Sequence, residues 1–511
     1  MNWRSIVAIL FVSLLLLPAC QKKCKQGEDV DCWLDALKDP ELAEKAIDNL
    51  KQIGDKKAEP ALIEVFNEST KQPKYREKIA EIFKKWGTKS AVKPMLSGID
   101  WTVGPDKDGR KAKRTNRANQ KIASALGSLG DKSAAAPLMR LMKATKEANV
   151  RRSAIRALGK LKANEAVDEL LRLSEDTSTH KIIRMNAIFA LGEIGDPKTV
   201  DSLILSLYRD KAFFFFQAGL GLVRIGEPAI EPLVKTMNGK NSEAKRLTEE
   251  NMEILAGALE SNAAKILGDI GSEKAVEPLL AMVEKVGKWE AETNRLLVMT
   301  RLINALGTIG DKRGLKIALE YLKEELWDVR TICANTINNI SDRSVVPELL
   351  KFASTGDHPK TRAPLIEAIG NLGTDKVLPA LKKLLDSQKD VTVQKAVKAS
   401  IKRIEAYSQC KQDVNCWIGK LADKQPEVRE KAAYELGRIG GDQAIEPLIK
   451  IMNDNSENVR FAVMFAFDKI GSKKPVAAIE ALMKKEKGST RFKVINFNYQ
   501  LLSARLSRTG K

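Results

Sequence analysis

The stretch from Val428 to Gly440 reads VREKAAYELGRIG, and its pattern returns along most of the chain, as in VRRSAIRALGKL from Val150 to Leu161. Apolar side chains recur at i, i+4, i+8 and i+11, which is the spacing of one face of an α-helix. A turn with Gly or Asp follows, and then a second apolar segment such as that from Ala444 to Ile449. The sequence therefore predicts a repeating pair of helices, which we call the Val-Arg helix and the proline helix.

The proline helix takes its name from a proline in its first turn, where the missing N–H costs no hydrogen bond. This proline is present as Pro137, Pro232, Pro278, Pro379 and Pro447. The last apolar residue of each Val-Arg helix marks thirteen units: Ile53, Trp86, Leu129, Leu161, Ile194, Ile225, Ile270, Ile309, Ile340, Leu372, Ile404, Ile439 and Ile470. One helix pair cannot bury its apolar face alone, so neighbouring units must stack. The predicted fold is all-α, an α-solenoid of about thirteen helix pairs.

These units resemble HEAT repeats, and in particular the short HEAT-like class first known from phycobilisome lyases. The resemblance covers nearly all of the chain after residue 40. It implies that the Val-Arg helices line the concave face and that their arginine bonds along the edge of the array. Seven units have this arginine, at Arg76, Arg151, Arg184, Arg330, Arg362, Arg429 and Arg460. A structural ladder is the better interpretation of these arginines than ligand binding, and the fold itself says little about function.

The N-terminus indicates export. Arg4 precedes an apolar run from Ile6 to Leu17, which is too short to span a bilayer comfortably and ends in Leu17-Pro18-Ala19-Cys20. This segment resembles a bacterial lipoprotein signal; the alternatives are a plain secretory signal or an N-terminal anchor helix that is never cut. We expect residues 1–19 to be removed and Cys20 to carry the lipid. Gln21 in place of Asp favours the outer membrane, with the protein facing the periplasm or the exterior.

The net charge of +20 favours an anionic partner. Nucleic acid would be the default, but export separates the chain from it. A long step between units contains a basic insertion at residues 107–121, with Lys107, Arg110, Lys111, Lys113, Arg114, Arg117 and Lys121, and Trp101 close before it. It is either a solvated loop or a docking loop for anionic lipid head groups, glycan or an acidic protein.

The cysteines form two close pairs, Cys24 with Cys32 and Cys410 with Cys416, which an oxidising compartment would bridge. Cys333 fills a slot that holds Ala in other units, and we expect it to be buried. Spacings of C-x7-C and C-x5-C with two histidines in the chain do not favour zinc, so no metal or cofactor is predicted.

The two pairs also divide the chain, because Trp33 and Trp417 follow the second cysteine of each pair. The predicted organisation is a signal peptide at 1–19, a lipidated and disulfide-closed cap at 20–39, a first repeat block at 40–408, and a second block at 409–511. The second block ends in a capping segment from about residue 489.

Catalytic motifs of the H-E-x-x-H, G-x-S-x-G and phosphate-loop types are missing from the sequence. Deoxyhypusine hydroxylase shares the fold but needs His-Glu pairs, and neither His180 nor His358 precedes Glu. The catalytic residues of bilin lyases cannot be matched here. We predict a scaffold or adaptor of the cell envelope rather than an enzyme, with another, acidic protein as partner and no small-molecule substrate. The alternatives are an enzyme or enzyme accessory of the bilin-lyase kind, or a nucleic-acid-binding protein if the chain is not exported.

The candidate partner site lies in units four to six. Outward slots of the Val-Arg helices are polar in most units, including Lys265, Asn304 and Asn335, but apolar in units five and six. The predicted apolar patch consists of Met185, Phe189, Phe215, Phe216 and Leu220, with Arg152 and Arg156 beside it to pair acidic groups. Exposed apolar clusters often mark interaction sites. The alternative is that the run Phe213 to Phe216 packs between repeats, as we expect of Phe214.

Overall fold

The computed structural model describes residues 24, 29–69, 72–101, 109–250, 255–324, 326–355, 359–486 and 490–509. Within these ranges the protein forms thirty α-helices and no strand, which confirms the all-α prediction. The predicted signal peptide and Cys20 lie outside the described residues. The chain forms two compact units, Met1–Ala190 and Leu191–Lys511, each of which is considered by itself. The predicted division at 408/409 falls inside the second unit and stays a prediction.

The first unit alternates proline helices with Val-Arg helices. Its helices are α1 Val30–Ala36, α2 Ala43–Ile53, α3 Glu59–Glu68, α4 Pro73–Trp86, α5 Val92–Ser97, α6 Arg110–Leu129, α7 Ala135–Ala144, α8 Ala148–Leu161, α9 Val167–Glu175 and α10 Lys181–Ile194, the last of which continues into the second unit. The Val-Arg helices α4, α6 and α8 pack on one another in sequence, as a stacked array requires.

The second unit continues the alternation and adds helices in the long steps. Its helices are α11 Val200–Ser206, α12 Arg209–Ala212, α13 Phe215–Ile225, α14 Ile230–Met237, α15 Ser242–Glu249, α16 Ala258–Ile270, α17 Val276–Gly287, α18 Glu292–Ile309, α19 Arg313–Tyr321, α20 Trp327–Ile340, α21 Val346–Thr355, α22 Pro359–Leu372, α23 Leu378–Ser387, α24 Val391–Cys410, α25 Val414–Lys420, α26 Pro426–Ile439, α27 Ile445–Ile451, α28 Glu457–Ile470, α29 Val476–Lys485 and α30 Thr490–Thr509. The long step between the sixth and seventh repeats contains a separate helix, α15.

The predicted register is confirmed at the helix ends. Twelve of the thirteen marker residues are the last residue of a Val-Arg helix, and the exception, Ile404, lies inside α24, which continues to Cys410. Both the glycine and the aspartate of the Gly-Asp turn have a structural role. Gly54 and Gly130 end their helices in the left-handed conformation, and the carboxylates of Asp55 and Asp131 accept a hydrogen bond from the backbone N–H two residues on.

Successive Val-Arg helices touch at the glycine of the Ala-Leu-Gly motif. A Cβ atom on Gly437 would lie 2.6 Å from Cα of Ala466 on the next Val-Arg helix. The same approach joins Gly127 to Ala157, Gly192 to Gly221, Gly268 to Ala305, Gly307 to Thr336, and Gly370 to Ser400. Since neither partner is large, the two backbones come close enough for their flanking apolar residues to interdigitate.

Six of the seven repeat arginines donate to backbone carbonyls around the end of the preceding proline helix. Arg184 Nε donates to Ser174 O at 3.1 Å, Arg362 Nε to Ala353 O at 2.8 Å, and Arg76 Nε to Phe66 O at 3.3 Å. The other three donors are Arg330, Arg429 and Arg460. These bonds satisfy carbonyls that a helix end leaves without a partner, which agrees with the structural interpretation of the arginine slot.

The C-terminal helix α30 caps the last repeats and also returns to the first helices of its unit. Tyr499 and Leu506 are buried, and Tyr499 Oη donates to Met452 O at 2.6 Å. At the same time Arg505 Nε donates to Asp269 O at 3.1 Å and Arg508 Nη2 to Ile270 O at 2.6 Å. The capping role was predicted; the contact with α13 and α16 was not.

A buried charge network fixes α26 against earlier repeats. The carboxylate of Glu435 lies 2.9 Å from Lys431 Nζ, 2.8 Å from Arg343 Nη2 and 3.1 Å from Arg438 Nη1. Lys431 also donates to Asn371 O at the end of α22, at 2.5 Å. Lys431 and Glu435 are fully enclosed, and burial lowers the pKa of the Lys431 ammonium.

Substituting Glu435→Gln should destabilise the second unit by roughly 3–5 kcal/mol, because three cations would be left without their counter-charge. Lys431→Met should cost much less, since the carboxylate keeps two arginine partners. The measurement is urea unfolding followed by circular dichroism. Asp442→Asn, which breaks an exposed pair with Lys474, is the control and should cost less than about 1 kcal/mol. Equal costs for Glu435→Gln and Asp442→Asn would contradict the role of the network.

The glycine contact gives a second matched pair. Gly437→Ala should lower the free energy of unfolding by about 1–3 kcal/mol, because the new methyl group would push α26 away from Ala466. Gly419→Ala, in helix α25 with open space around the new methyl group, should raise it by about 0.5–1 kcal/mol through helix propensity alone. If both variants gain stability in urea, the close contact does not limit the packing.

Candidate functional site

The first part of the predicted apolar patch lies in the first unit. Met185 and Phe189 are half-buried on α10, and Arg152 is half-buried on α8. Arg156 is exposed, and its Nε donates to Asn186 Oδ1 at 2.5 Å. The Nε–H group of Arg156 is therefore already used in a hydrogen bond within the protein. The arrangement of these four residues relative to those of the second unit stays a prediction.

The second part of the predicted patch, which consists of Phe215, Phe216 and Leu220, lies on α13, and Phe213 comes just before it. Phe213 and Phe216 are 50% and 57% exposed, whereas Phe214 is fully buried, as expected, and Phe215 is half-buried. Leu220 does not belong to an exposed surface, because only 2% of it is accessible. The reason for this correction is that α13 packs against both α16 and α30, which enclose its middle turns.

The chain's own C-terminal helix covers part of the surface around Phe216. The ring of Phe497 on α30 lies edge-on to Phe216, with the centroids 5.1 Å apart. Lys265 Nζ lies 5.6 Å from the Phe497 centroid. From the sequence, Phe497 was assigned to the C-terminal capping segment. The local periodicity of apolar residues does not indicate that this segment also packs against α13.

The backbone before the phenylalanines is unusual. Asp210, Lys211 and Ala212 have φ angles of 51°, 59° and 60°, so three successive non-glycine residues adopt the left-handed conformation. That conformation costs roughly 1–2 kcal/mol per residue. These residues make up most of the short element α12, which is therefore a left-handed turn and not a regular helix. After it, Phe213 and Phe216 are exposed while Phe214 is buried.

A cavity of about 610 Å³ lies in the second unit, between its Val-Arg helices and α30. Residues from α16, α18, α20, α22, α26, α28 and α30 line it. Seven of the lining residues are asparagines: Asn304, Asn335, Asn338, Asn339, Asn371, Asn458 and Asn498. The polar outward slots that the sequence indicated, among them Lys265, Asn304 and Asn335, therefore face a cavity. These slots were predicted to be polar from the sequence, but they were not predicted to form a site.

Most charged groups of this cavity are paired within the protein. Lys265 with Asp269, and Arg505 with Asp468, have N–O distances of 2.6 and 2.7 Å, and Glu430 lies 2.6 Å from the buried Arg403. Glu367 and Lys469 form no ion pair within the part of the chain that the structure describes. Burial raises the pKa of the Glu367 carboxyl and lowers the pKa of the Lys469 ammonium.

Two asparagines of the wall have unsatisfied oxygens. Asn338 and Asn371 are 8% and 5% exposed, and their Oδ1 atoms accept no hydrogen bond from the described residues. A buried amide oxygen without a donor is unfavourable. Tyr434, Phe461 and Phe465 supply the aromatic part of the wall.

The basic insertion is not a loop over its described part. Helix α6 begins at Arg110 and is twenty residues long, so residues 110–121 are helical. Arg110, Lys113, Arg114 and Arg117 are exposed at i, i+3, i+4 and i+7, and hence share one face. Lys121 instead pairs with Glu81, and Arg140 stacks on Trp101 with its guanidinium carbon 4.3 Å from the ring centroid. Lys107 lies outside the described residues.

The structure joins Cys24 to Cys32 and Cys410 to Cys416, with Cα–Cα distances of 5.7 and 5.4 Å. Cys333 is free and fully buried, and burial raises the pKa of its thiol to about 12. Among the described side chains, no three of the His, Cys, Asp and Glu type come together as metal ligands would. No described helix is both long and apolar enough to cross a bilayer.

Comparison with known families agrees with the repeat pattern. The family of HEAT repeats matches residues 114–181, 315–402 and 417–495, and the PBS lyase HEAT-like repeat matches residues 183–208 and 261–285. No curated protein matches the sequence.

Several solved structures are similar to this chain at low identity. Importin beta is 12% identical, over 94% of this chain and 74% of that one, with a TM-score of 0.39. Kap121p bound to the extreme C-terminus of the phosphatase Cdc14p is 14% identical, over 93% and 56%, with a TM-score of 0.43. The CpcE–CpcF phycocyanin lyase of Nostoc sp. PCC7120 is 18% identical, over 53% and 94%, with a TM-score of 0.27. This chain thus spans little more than half of Kap121p, and the likeness concerns the fold alone.

Proposed function

We propose that this chain, a protein built of HEAT repeats, is a lipid-anchored scaffold of the cell envelope that binds another protein and catalyses no reaction itself. The observation that carries the binding role is the pair Phe213 and Phe216, each at least half exposed at the start of α13. Aromatic side chains dominate binding energy where they are accessible, and the chain is otherwise poor in aromatic residues, at 5%. The left-handed turn before them supports the proposal, since strained backbone is often kept where it serves a function.

The anchor is proposed from the sequence before residue 24. A lipid on Cys20 would place the first unit beside a membrane, at the outer membrane on the periplasmic or exterior side. The exposed basic face of α6 could add an electrostatic attraction to anionic head groups. An acidic partner protein is the other ligand that this face and the net charge favour.

The double variant Phe213→Ser, Phe216→Ser should fold normally and lose most partner recovery. Recovery is measured by cross-linking and affinity purification of the mature protein from its own envelope fraction. The structural cost should be small, because both side chains are at least half exposed. The aromatic pairs that they form within the protein each contribute about 0.5–1.5 kcal/mol.

Val391→Ser, which removes an apolar side chain 76% exposed elsewhere in the same unit, is the matched control and should keep the partner. A stability loss of several kcal/mol in the double variant, with partner recovery intact, would show that the two rings belong to the core.

Cys20→Ser should abolish lipid attachment and release the chain from the membrane fraction, either as uncleaved precursor or as soluble protein. The measurement is fractionation followed by mass determination of the N-terminal peptide. Membrane binding that persists at low salt and is lost at high salt would indicate the basic face of α6 as a second attachment. Membrane binding equal to that of the parent at every salt concentration would refute the lipid anchor.

A further inference from the structure

We infer that the cavity between the Val-Arg helices of the second unit and α30 binds a short peptide that has a free amino terminus and a free carboxyl terminus. This inference goes beyond the proposed scaffold function, because it assigns a small ligand to a site distinct from Phe213 and Phe216. The cavity volume of about 610 Å³ lies within the range of small-ligand sites, which is about 300–1,000 Å³.

The asparagines match the hydrogen-bonding groups of a peptide backbone. Each side-chain amide can donate and accept at once, as each peptide unit does. Seven asparagines on five different helices surround the cavity, so a peptide can be contacted from several sides. The buried Oδ1 atoms of Asn338 and Asn371 accept no hydrogen bond from the described residues, and the N–H groups of a peptide are suitable donors to them.

The two unpaired charges match the ends of such a ligand. Glu367 and Lys469 both line the cavity and are accessible, whereas the other charged groups named above hold one another in ion pairs. A peptide ammonium can pair with the Glu367 carboxylate and a peptide carboxylate with the Lys469 ammonium. One ligand would then compensate both groups, which are otherwise kept charged at a cost in a partly desolvated site.

The aromatic wall provides a place for an apolar side chain of the peptide. The rings of Tyr434 and Phe465 lie edge-on with centroids 5.0 Å apart, and Phe461 is 36% exposed. A neutral oligosaccharide would also use the amides and the rings. It would leave Glu367 and Lys469 without partners, and for that reason the charges favour the peptide.

The test is isothermal titration calorimetry of the mature protein with Ala-Phe-Ala. The unblocked tripeptide should bind, and its N-acetylated, C-amidated form should bind at least tenfold more weakly, a change of about 1.4 kcal/mol. Glu367→Gln and Lys469→Met should each weaken the unblocked peptide at least tenfold and leave the blocked peptide unchanged. Glu446→Gln and Lys450→Met, two exposed residues of α27 without ion pairs in the described chain, are the matched controls and should bind like the parent.

Three results would overturn the inference. They are no binding of the unblocked tripeptide at millimolar concentration by the folded protein, equal binding of the blocked and unblocked peptides, and tighter binding of cellotriose that is indifferent to Glu367→Gln and Lys469→Met. The variant Phe213→Ser, Phe216→Ser should keep its peptide affinity. Loss of the partner protein with the peptide retained, or the reverse, therefore separates a failure of this inference from a failure of the scaffold proposal.

Discussion

The backbone contact between successive Val-Arg helices is the constraint on which the rest of the structure depends. At each contact a glycine meets a small residue about thirty positions later, as Gly370 meets Ser400 and Gly437 meets Ala466. Helices that approach so closely can pack the apolar residues on both flanks of the contact, such as Leu436 and Val463, which are fully buried. The repeat sequence can therefore tolerate much variation at its surface as long as the two residues at this contact stay small.

The second cysteine pair marks the place where regular stacking ends. A regular repeat contacts its neighbours only, and α22 and α24 pack in this way. Helix α26 contacts α24 but also reaches α22 through Lys431 and the residues after α20 through Arg343 and Glu435. Helix α26 follows α25, which occupies the place of a proline helix. The Cys410–Cys416 disulfide joins the end of α24 to α25. The last repeats can thus turn back toward the first helices of their unit, and a buried charge network holds them there.

The helix pairs could be predicted from sequence because their causes are local. Apolar spacing, the proline of the first turn and the Gly-Asp turn each act within a few residues, and they placed twelve of thirteen helix ends correctly. Leu220 was assigned to the wrong surface because α13 packs against α16 and α30, which come much later in the chain and which local periodicity does not indicate. The basic segment after Arg110 was expected to be a loop, since its charges hide the helical period that α6 shares with its neighbours.

The return of α30 also explains why the space it encloses is polar. In an open array the outward slots of the Val-Arg helices face water, and side chains such as Asn304 and Asn335 are suited to that environment. Turning the last repeats back brings these slots together without replacing them by apolar residues, so amides and charges are enclosed instead of a dry core. Several of them then find partners across the space, as Asp468 does with Arg505 on α30. Those that do not, namely the oxygens of Asn338 and Asn371 and the charges of Glu367 and Lys469, are the groups that closure alone leaves unsatisfied. An array selected only for stability would exchange Asn338 and Asn371 for apolar residues of similar size, because a buried polar group without a partner weakens the fold. Their retention in one enclosed space is the physical reason to treat that space as a site and not as a by-product of packing.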